Sequence, residues 1–208
     1  MTLRNLARCT SGASGVEFAL VLPLFLLLLF GIIDAGRFLW QYNQAEKATQ
    51  VGARVAIVTN VLSSGLHDED YTGQTVGGVT IAPGGVIPAG ALGRMVCTNT
   101  GCSCNVSDGA VAPCPNPGTF DSDTFNNVLL ARMQQIDPTI KAENLVVSYS
   151  GSGLGFASPG EMEISPLTTV SLRNMKFVPI TSLLFAQIPM PKLSATLTSE
   201  DASGNYSN

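Results

Sequence analysis

"SGASGVEFALVLPLFLLLLFGIIDAGRF", residues 11–38, decides how the rest of the chain is read. Glu17 stands at the mouth of a run with no further charge until Asp34. The sixteen residues between them extend about 24 Å as a helix, short of the ~30 Å hydrocarbon core of a bilayer. Counting from Ala13 to Ile33 gives twenty-one residues and about 31 Å, which is enough to cross. The span therefore closes with Glu17 included. A carboxylate in that position is tolerated only near the interface or beside a partner, which makes it a functional candidate. Pro23 removes a helical N–H and frees a carbonyl near Ala19, so a bend or a packing contact is expected there.

Arg4 and Arg8 precede the run with no acidic neighbour, which holds the N-terminus in the cytoplasm and exports the bulk of the chain. Trp40 and Tyr42 fall where amphipathic rings prefer the far interface. A secretory signal peptide has similar ingredients, with "IDA" at 33–35 as its cleavage site. Against that reading, the apolar run is long for a signal, Asp34 sits inside the supposed cleavage motif, and helical periodicity runs straight through it. Phe38, Tyr42, Ala45, Ala48, Val51, Val55, Val58 and Leu62 recur at steps of three and four. Anchor and amphipathic helix are thus expected to form one rod to about residue 62.

The 208 residues leave room for one domain plus an anchor. Hydrophobic residues make up 45% and charged residues 12%, a balance that fits a membrane segment and not disorder. The formal charge of -4 offers no basic surface to neutralise phosphates, so no nucleic-acid partner is indicated. His67 is the one histidine, too few for histidine-based metal or triad chemistry. Cys9 precedes the apolar run, while Cys97, Cys102, Cys104 and Cys114 cluster far behind it, on the oxidising side if the run crosses. Their spacings do not make paired zinc knuckles. Two disulfides are therefore expected, with three connectivities open.

"GASGVEF" reads as G-x-x-x-x-E-F, from Gly12 to Glu17 and Phe18, and resembles the type IV prepilin processing signal. The longer stretch, followed by "ATQVGARVAIV", is similar to the TadE-like family of minor pilins or pseudopilins of the tight adherence (Flp) pilus system, most closely over residues 12–58. "KLSATLTSED" also resembles the ending typical of that family. The resemblance implies cleavage by a prepilin peptidase between Gly12 and Ala13. It implies further that Glu17 pairs with the new Ala13 amine of a neighbouring subunit; opposite charges at low dielectric would offset a desolvation cost neither bears alone. A contact from Glu17 to its own Ala13 amine is the plainer alternative. Losing residues 1–12 removes Arg4 and Arg8, leaving nine basic and fifteen acidic side chains, net -6. The partners implied are the peptidase, the major pilin and other minor pilins, and the inner-membrane platform, with Gly31 and Gly36 admitting a neighbouring helix backbone.

Residues 63–118 are dense in Gly and Pro and leave room for little beyond short hairpin strands. "HDED" at 67–70 lacks the spacing of a calcium loop and reads as a solvated turn. "DSDTFNNVLLARMQQIDP" opens on capping residues and carries Phe125, Val128, Leu129, Met133 and Ile136 at helical spacing. Three runs follow, "NLVVSYS", "PLTTVSLRNMKFVP" and "KLSATLTSE", rich in strand-forming residues. Their alternation leaves the buried face undecided. "GSGLG" at 151–155 imitates a phosphate loop but opens no helix. No cofactor, metal site or catalytic set is expected. The resulting organisation is α+β: a leader (1–12), a long transmembrane and amphipathic helix (13–62), a Gly/Pro-rich cysteine region (63–118) and an extracytoplasmic head (119–208). The alternative function is a membrane-tethered or secreted binding module with no role in a polymer.

Overall fold

The computed structural model describes residues 13–105, 114–158, 162–183 and 186–199. The chain forms two compact units: Met1–Gln41 with Lys176–Pro189, and Tyr42–Met175 with Met190–Asn208. A single 46-residue helix, α1 (Ala13–Val58), supplies residues to both, and its length is about 69 Å. Pro23 lies inside it on an exposed face. The helix stops four residues short of the expected end at 62. Its last carbonyls are taken up locally, with the Thr59 N–H and hydroxyl both donating to the Val55 carbonyl (3.1 and 3.0 Å). Ser63 then caps a single turn, α2 (Ser64–His67), by accepting from the Leu66 N–H.

In the first unit the chain returns as a short hairpin, β7 (Lys176–Phe177) paired antiparallel with β8 (Ile188–Pro189), with a 3-10 turn at Ile180–Leu183 between them. The Phe177 ring is buried against Phe38 of α1, edge to face at 5.5 Å, and the Arg37 guanidinium lies 5.4 Å from its centre.

The second unit is built on a five-stranded antiparallel sheet in the order β4-β3-β5-β6-β9: β3 (Arg94–Thr98), β4 (Gly101–Asn105), β5 (Leu145–Ser150), β6 (Leu167–Leu172) and β9 (Leu193–Thr198). A two-stranded ribbon, β1 (Thr75–Val76) with β2 (Val79–Thr80), stands apart from it. Three of the five strands are those expected; β3 and β4 form a short hairpin of the kind expected in the cysteine region, and it joins the main sheet through β3 and β5. Register places Met95 opposite Tyr149, Tyr149 opposite Thr168, Val147 opposite Val170 and Leu145 opposite Leu172. All of these are almost fully buried, which settles the core face that the mixed alternation of β6 left open.

The stretch of α1 in this unit covers that face with small side chains. Ala45, Ala48, Thr49, Ala53, Val55 and Ala56 are buried, whereas Val58 is 41% exposed and Val51 only half-buried. Ala45, Ala48 and Val55 of the expected stripe thus face the core, Val58 does not, and the small residues Thr49, Gly52, Ala53 and Ala56 join it. Gly52 shows why small residues win: a Cβ there would lie 2.7 Å from Met133 Sδ and 3.2 Å from Val170 Cγ1. Helix and sheet approach too closely for a side chain.

The expected helix after Asp121 is present but irregular. A π-helical stretch, Thr124–Leu130, runs into one α turn, α3 (Ala131–Gln134). Asp121 caps it, accepting from the Thr124 N–H (3.0 Å) and hydroxyl (2.7 Å). Phe125, Leu129, Leu130 and Met133 are buried, while Val128 and Ile136 are only partly so.

Candidate functional site

Of the cleavage pair expected from the sequence, Gly12 lies outside the described residues and Ala13 opens α1. Glu17 follows one turn later on an exposed helix surface. From there α1 presents large apolar side chains outward on every side: Phe18, Leu20, Leu24, Leu28 and Ile32 are each more than 60% exposed. The helix is long and apolar enough to cross a membrane, and none of its most apolar window is buried within the protein. A water-soluble helix covers at least one stripe, so a helix apolar and bare all round needs another apolar medium. Gly31 sits on this bare surface and Gly36 just beyond it, and a Cβ at either meets nothing within 4 Å.

The apolar surface ends at a carboxylate whose role the sequence did not reveal. Asp34 is buried to 7% exposure. Its Oδ1 accepts from the Ile180 N–H (2.7 Å) and from Arg37 Nη1 (2.9 Å). Its Oδ2 accepts from the Thr181 N–H (3.1 Å) and the Thr181 hydroxyl (2.9 Å). Asp34 thus satisfies the first free N–H groups of the Ile180–Leu183 turn and fixes the β7–β8 hairpin to α1. The only hint in the sequence is the Asp34/Arg37 spacing of one helical turn. The hairpin residues lie 146 and 147 positions away.

The cysteines resolve into Cys97–Cys102 and Cys104–Cys114. The first joins register partners across the β3–β4 hairpin, and the second holds the chain that follows β4. The remaining motifs are spent on local structure. In "HDED", His67 Nδ1 is paired with Asp68 (2.8 Å), Glu69 accepts from Gln74, and Asp70 accepts from the Thr72 N–H. In "GSGLG", a Cβ at Gly151 would collide with the Ala89 carbonyl, so close backbone approach accounts for that glycine. Among the described residues no three His, Cys, Asp or Glu side chains gather as metal ligands.

Two buried phenols mark the interior of the second unit. The Tyr149 hydroxyl accepts from the Leu62 N–H (3.2 Å), joining the end of the α1 connection to β5. Burial pushes its pKa well above the ordinary phenol range, against the lowering effect of that hydrogen bond and with help from Asp121. Burial does the same to Tyr71, reinforced by Glu69 and Glu163. Glu163, itself buried, accepts from the Tyr71 N–H at 2.8 Å.

Residues 12–54 match a protein family described as TadE-like protein. The match begins at Gly12, the residue before α1, and takes in Glu17, the bare apolar surface, Asp34 and the start of the small-residue stripe. Over those residues the chain is similar to that family, and they include the part of α1 that is long and apolar enough to cross a membrane. No curated protein and no solved structure matches the chain.

Proposed function

We propose that this chain is a minor pilin or pseudopilin of a Tad-type pilus. It is inserted through α1 with its N-terminus in the cytoplasm, cut between Gly12 and Ala13 by a prepilin peptidase, and assembled with the major pilin and other minor pilins at the inner-membrane platform. It helps to initiate or prime the fibre and so supports surface adherence; no catalytic step or cofactor belongs to this reading. The observation that carries it is the coincidence of the family match with a helix that begins next to Gly12 and is bare and apolar over its first twenty or so residues. Glu17, the one charge on that surface before Asp34, would pair with the Ala13 ammonium of a neighbouring subunit. In lipid such a pair offsets a desolvation cost that an isolated carboxylate does not recover. Gly31 and Gly36 would let the neighbouring helix approach closely.

Mass spectrometry of the mature N-terminus tests the processing step. A chain beginning at Ala13 is expected, and one retaining Met1 means a simple anchor. Glu17→Ala is expected to be processed normally yet to be depleted from sheared pili. Normal incorporation of that variant removes the role given to the carboxylate.

A further inference from the structure

The hairpin of the first unit carries an apolar surface that α1 packing does not cover. Residues 177–191 contain no charged side chain and are bracketed by Lys176 and Lys192. Within them Val178, Ile180 and Ile188 are exposed to 50%, 51% and 44%.

The contacts with α1 give the hairpin a direction. Phe177 meets Phe38, and three to four residues later the Ile180 and Thr181 N–H groups meet Asp34. Between Phe38 and Asp34 α1 falls by one turn, about 6 Å, toward its N-terminus. The chain leaving β7 therefore descends along α1 toward the apolar segment that ends at Ile33.

A polypeptide entering the edge of a bilayer must leave no backbone N–H unpaired and carry its charges at the rim. Asp34 takes the Ile180 and Thr181 N–H groups, the Pro179 carbonyl takes that of Ser182, the Asp34 charge is shared with Arg37, and the sequence from 177 to 191 keeps its charges at its two ends.

We propose that the β7–β8 hairpin is a second membrane contact, with Val178, Ile180 and Ile188 seated at the headgroup–acyl boundary of the same bilayer that α1 crosses, on its Asp34 side. The occupant of this surface is lipid because the hairpin is held at Asp34, the residue next to Ile33 at the end of the bare face of α1. The inference rests on α1 being a membrane span, and the experiment separates the two.

Full-length protein with Cys9→Ser is given one reporter cysteine, at Leu24→Cys, Ile180→Cys, Val178→Cys or Glu143→Cys. Each is labelled with an environment-sensitive fluorophore and reconstituted into phosphatidylcholine–phosphatidylglycerol vesicles bearing a nitroxide near the headgroup or deep in the acyl chain. The label at 24 is expected to be quenched by the deep nitroxide, those at 178 and 180 mainly by the shallow one, and that at 143 by neither. Labels at 178 and 180 that behave like 143 while 24 is quenched overturn the hairpin proposal and leave the span intact; this is also the outcome if another protein covers the surface. Loss of quenching at 24 overturns both. Adding Asp34→Ala should reduce shallow quenching at 180 several-fold without changing the signal at 24. An unchanged signal at 180 overturns Asp34 as the residue that holds the hairpin at that depth.

Discussion

Tyr149 is the residue whose single hydroxyl has the most to lose. The ring is almost fully buried in β5, and its oxygen is the acceptor for the Leu62 N–H. Tyr149→Phe keeps the packing and strands a buried donor, which costs about 1–3 kcal/mol; a lower denaturation midpoint for the full chain in detergent is the expected reading. The same burial sets a pH dependence. Tyr149 and Tyr71 both hold their protons more tightly folded than unfolded, their pKa values standing above the ordinary 10.0. The stability linked to those protons is therefore complete below the ordinary phenol value and is lost as pH rises above it. Denaturation midpoints should be level up to about pH 9 and fall between about pH 10 and pH 12. The alkaline fall should be shallower in Tyr149→Phe than in the parent, because one of the two phenols is gone. Equal slopes in the two proteins would contradict the assignment. Asp34 belongs to this scale as well, since one carboxylate holds both turn N–H groups of the hairpin, and nothing in its sequence neighbourhood announces partners so distant along the chain.

At the scale of elements, α1 is one helix with two kinds of surface. Its first half exposes Leu, Phe and Ile, and its second half buries Ala, Gly and Thr. Substituting leucine at a glycine in each half separates them. Gly52→Leu forces a side chain between Met133 and Val170 and should cost about 1–3 kcal/mol, read as a lower midpoint. Gly31→Leu meets open space and replaces a poor helix former, so the midpoint should hold or rise slightly. An unperturbed Gly52→Leu would mean that α1 does not pack on the sheet at this distance. The existence of α1, three strands of the sheet and the capped segment after Asp121 was legible because long periodicity, β-branched runs and capping residues act locally. The buried stripe was legible in part: Ala45, Ala48 and Val55 are buried as expected, whereas Val58 is exposed, and the close approach at Gly52 is revealed only by the facing Met133 and Val170. That the β3–β4 hairpin would join the main sheet was not legible: "RMVCT" and "GCSCN" are short, Gly93 and Gly101 stand at their starts, and they are held in place by β5 and by disulfides. Once the register puts Cys97 opposite Cys102, with Cα atoms 4.0 Å apart, Cys104 and Cys114 are left for each other. Counting cysteines leaves three equal choices; the sheet leaves one. Replacing either pair with alanine should cost about 2–3 kcal/mol by loop-closure entropy, measured as a drop in denaturation midpoint under non-reducing conditions.

At the scale of the whole molecule, the disulfides and the apolar helix constrain each other through the compartment each requires. Disulfides persist where the medium is oxidising, and two arginines ahead of an apolar span hold the N-terminus on the reducing side. The proposed topology meets both conditions, with Cys9 on one side of a single crossing and the other four cysteines opposite. Thiol labelling of spheroplasts with a membrane-impermeant maleimide tests this as one statement. Without reductant, no thiol should be labelled from outside, because Cys97, Cys102, Cys104 and Cys114 are bonded and Cys9 is either cytoplasmic or removed with the leader. After a permeant reductant is added and washed away, the half-buried thiols of Cys102, Cys104 and Cys114 should become accessible while fully buried Cys97 stays protected, and Cys9→Ser should not change that set. The same thiols accessible before reduction would mean that the pairs do not form in the cell. Protection of all of them after reduction, with labelling restored by lysis, would place the second unit in the cytoplasm, and an inverted chain could neither be cut on the cytoplasmic side nor enter a surface fibre. Labelling of a further thiol that disappears in Cys9→Ser would put the N-terminus outside. Because each arrangement yields a different count, a single measurement on the intact chain decides orientation and oxidation together, the two properties on which the reading of α1 as a crossing helix with an exported head depends.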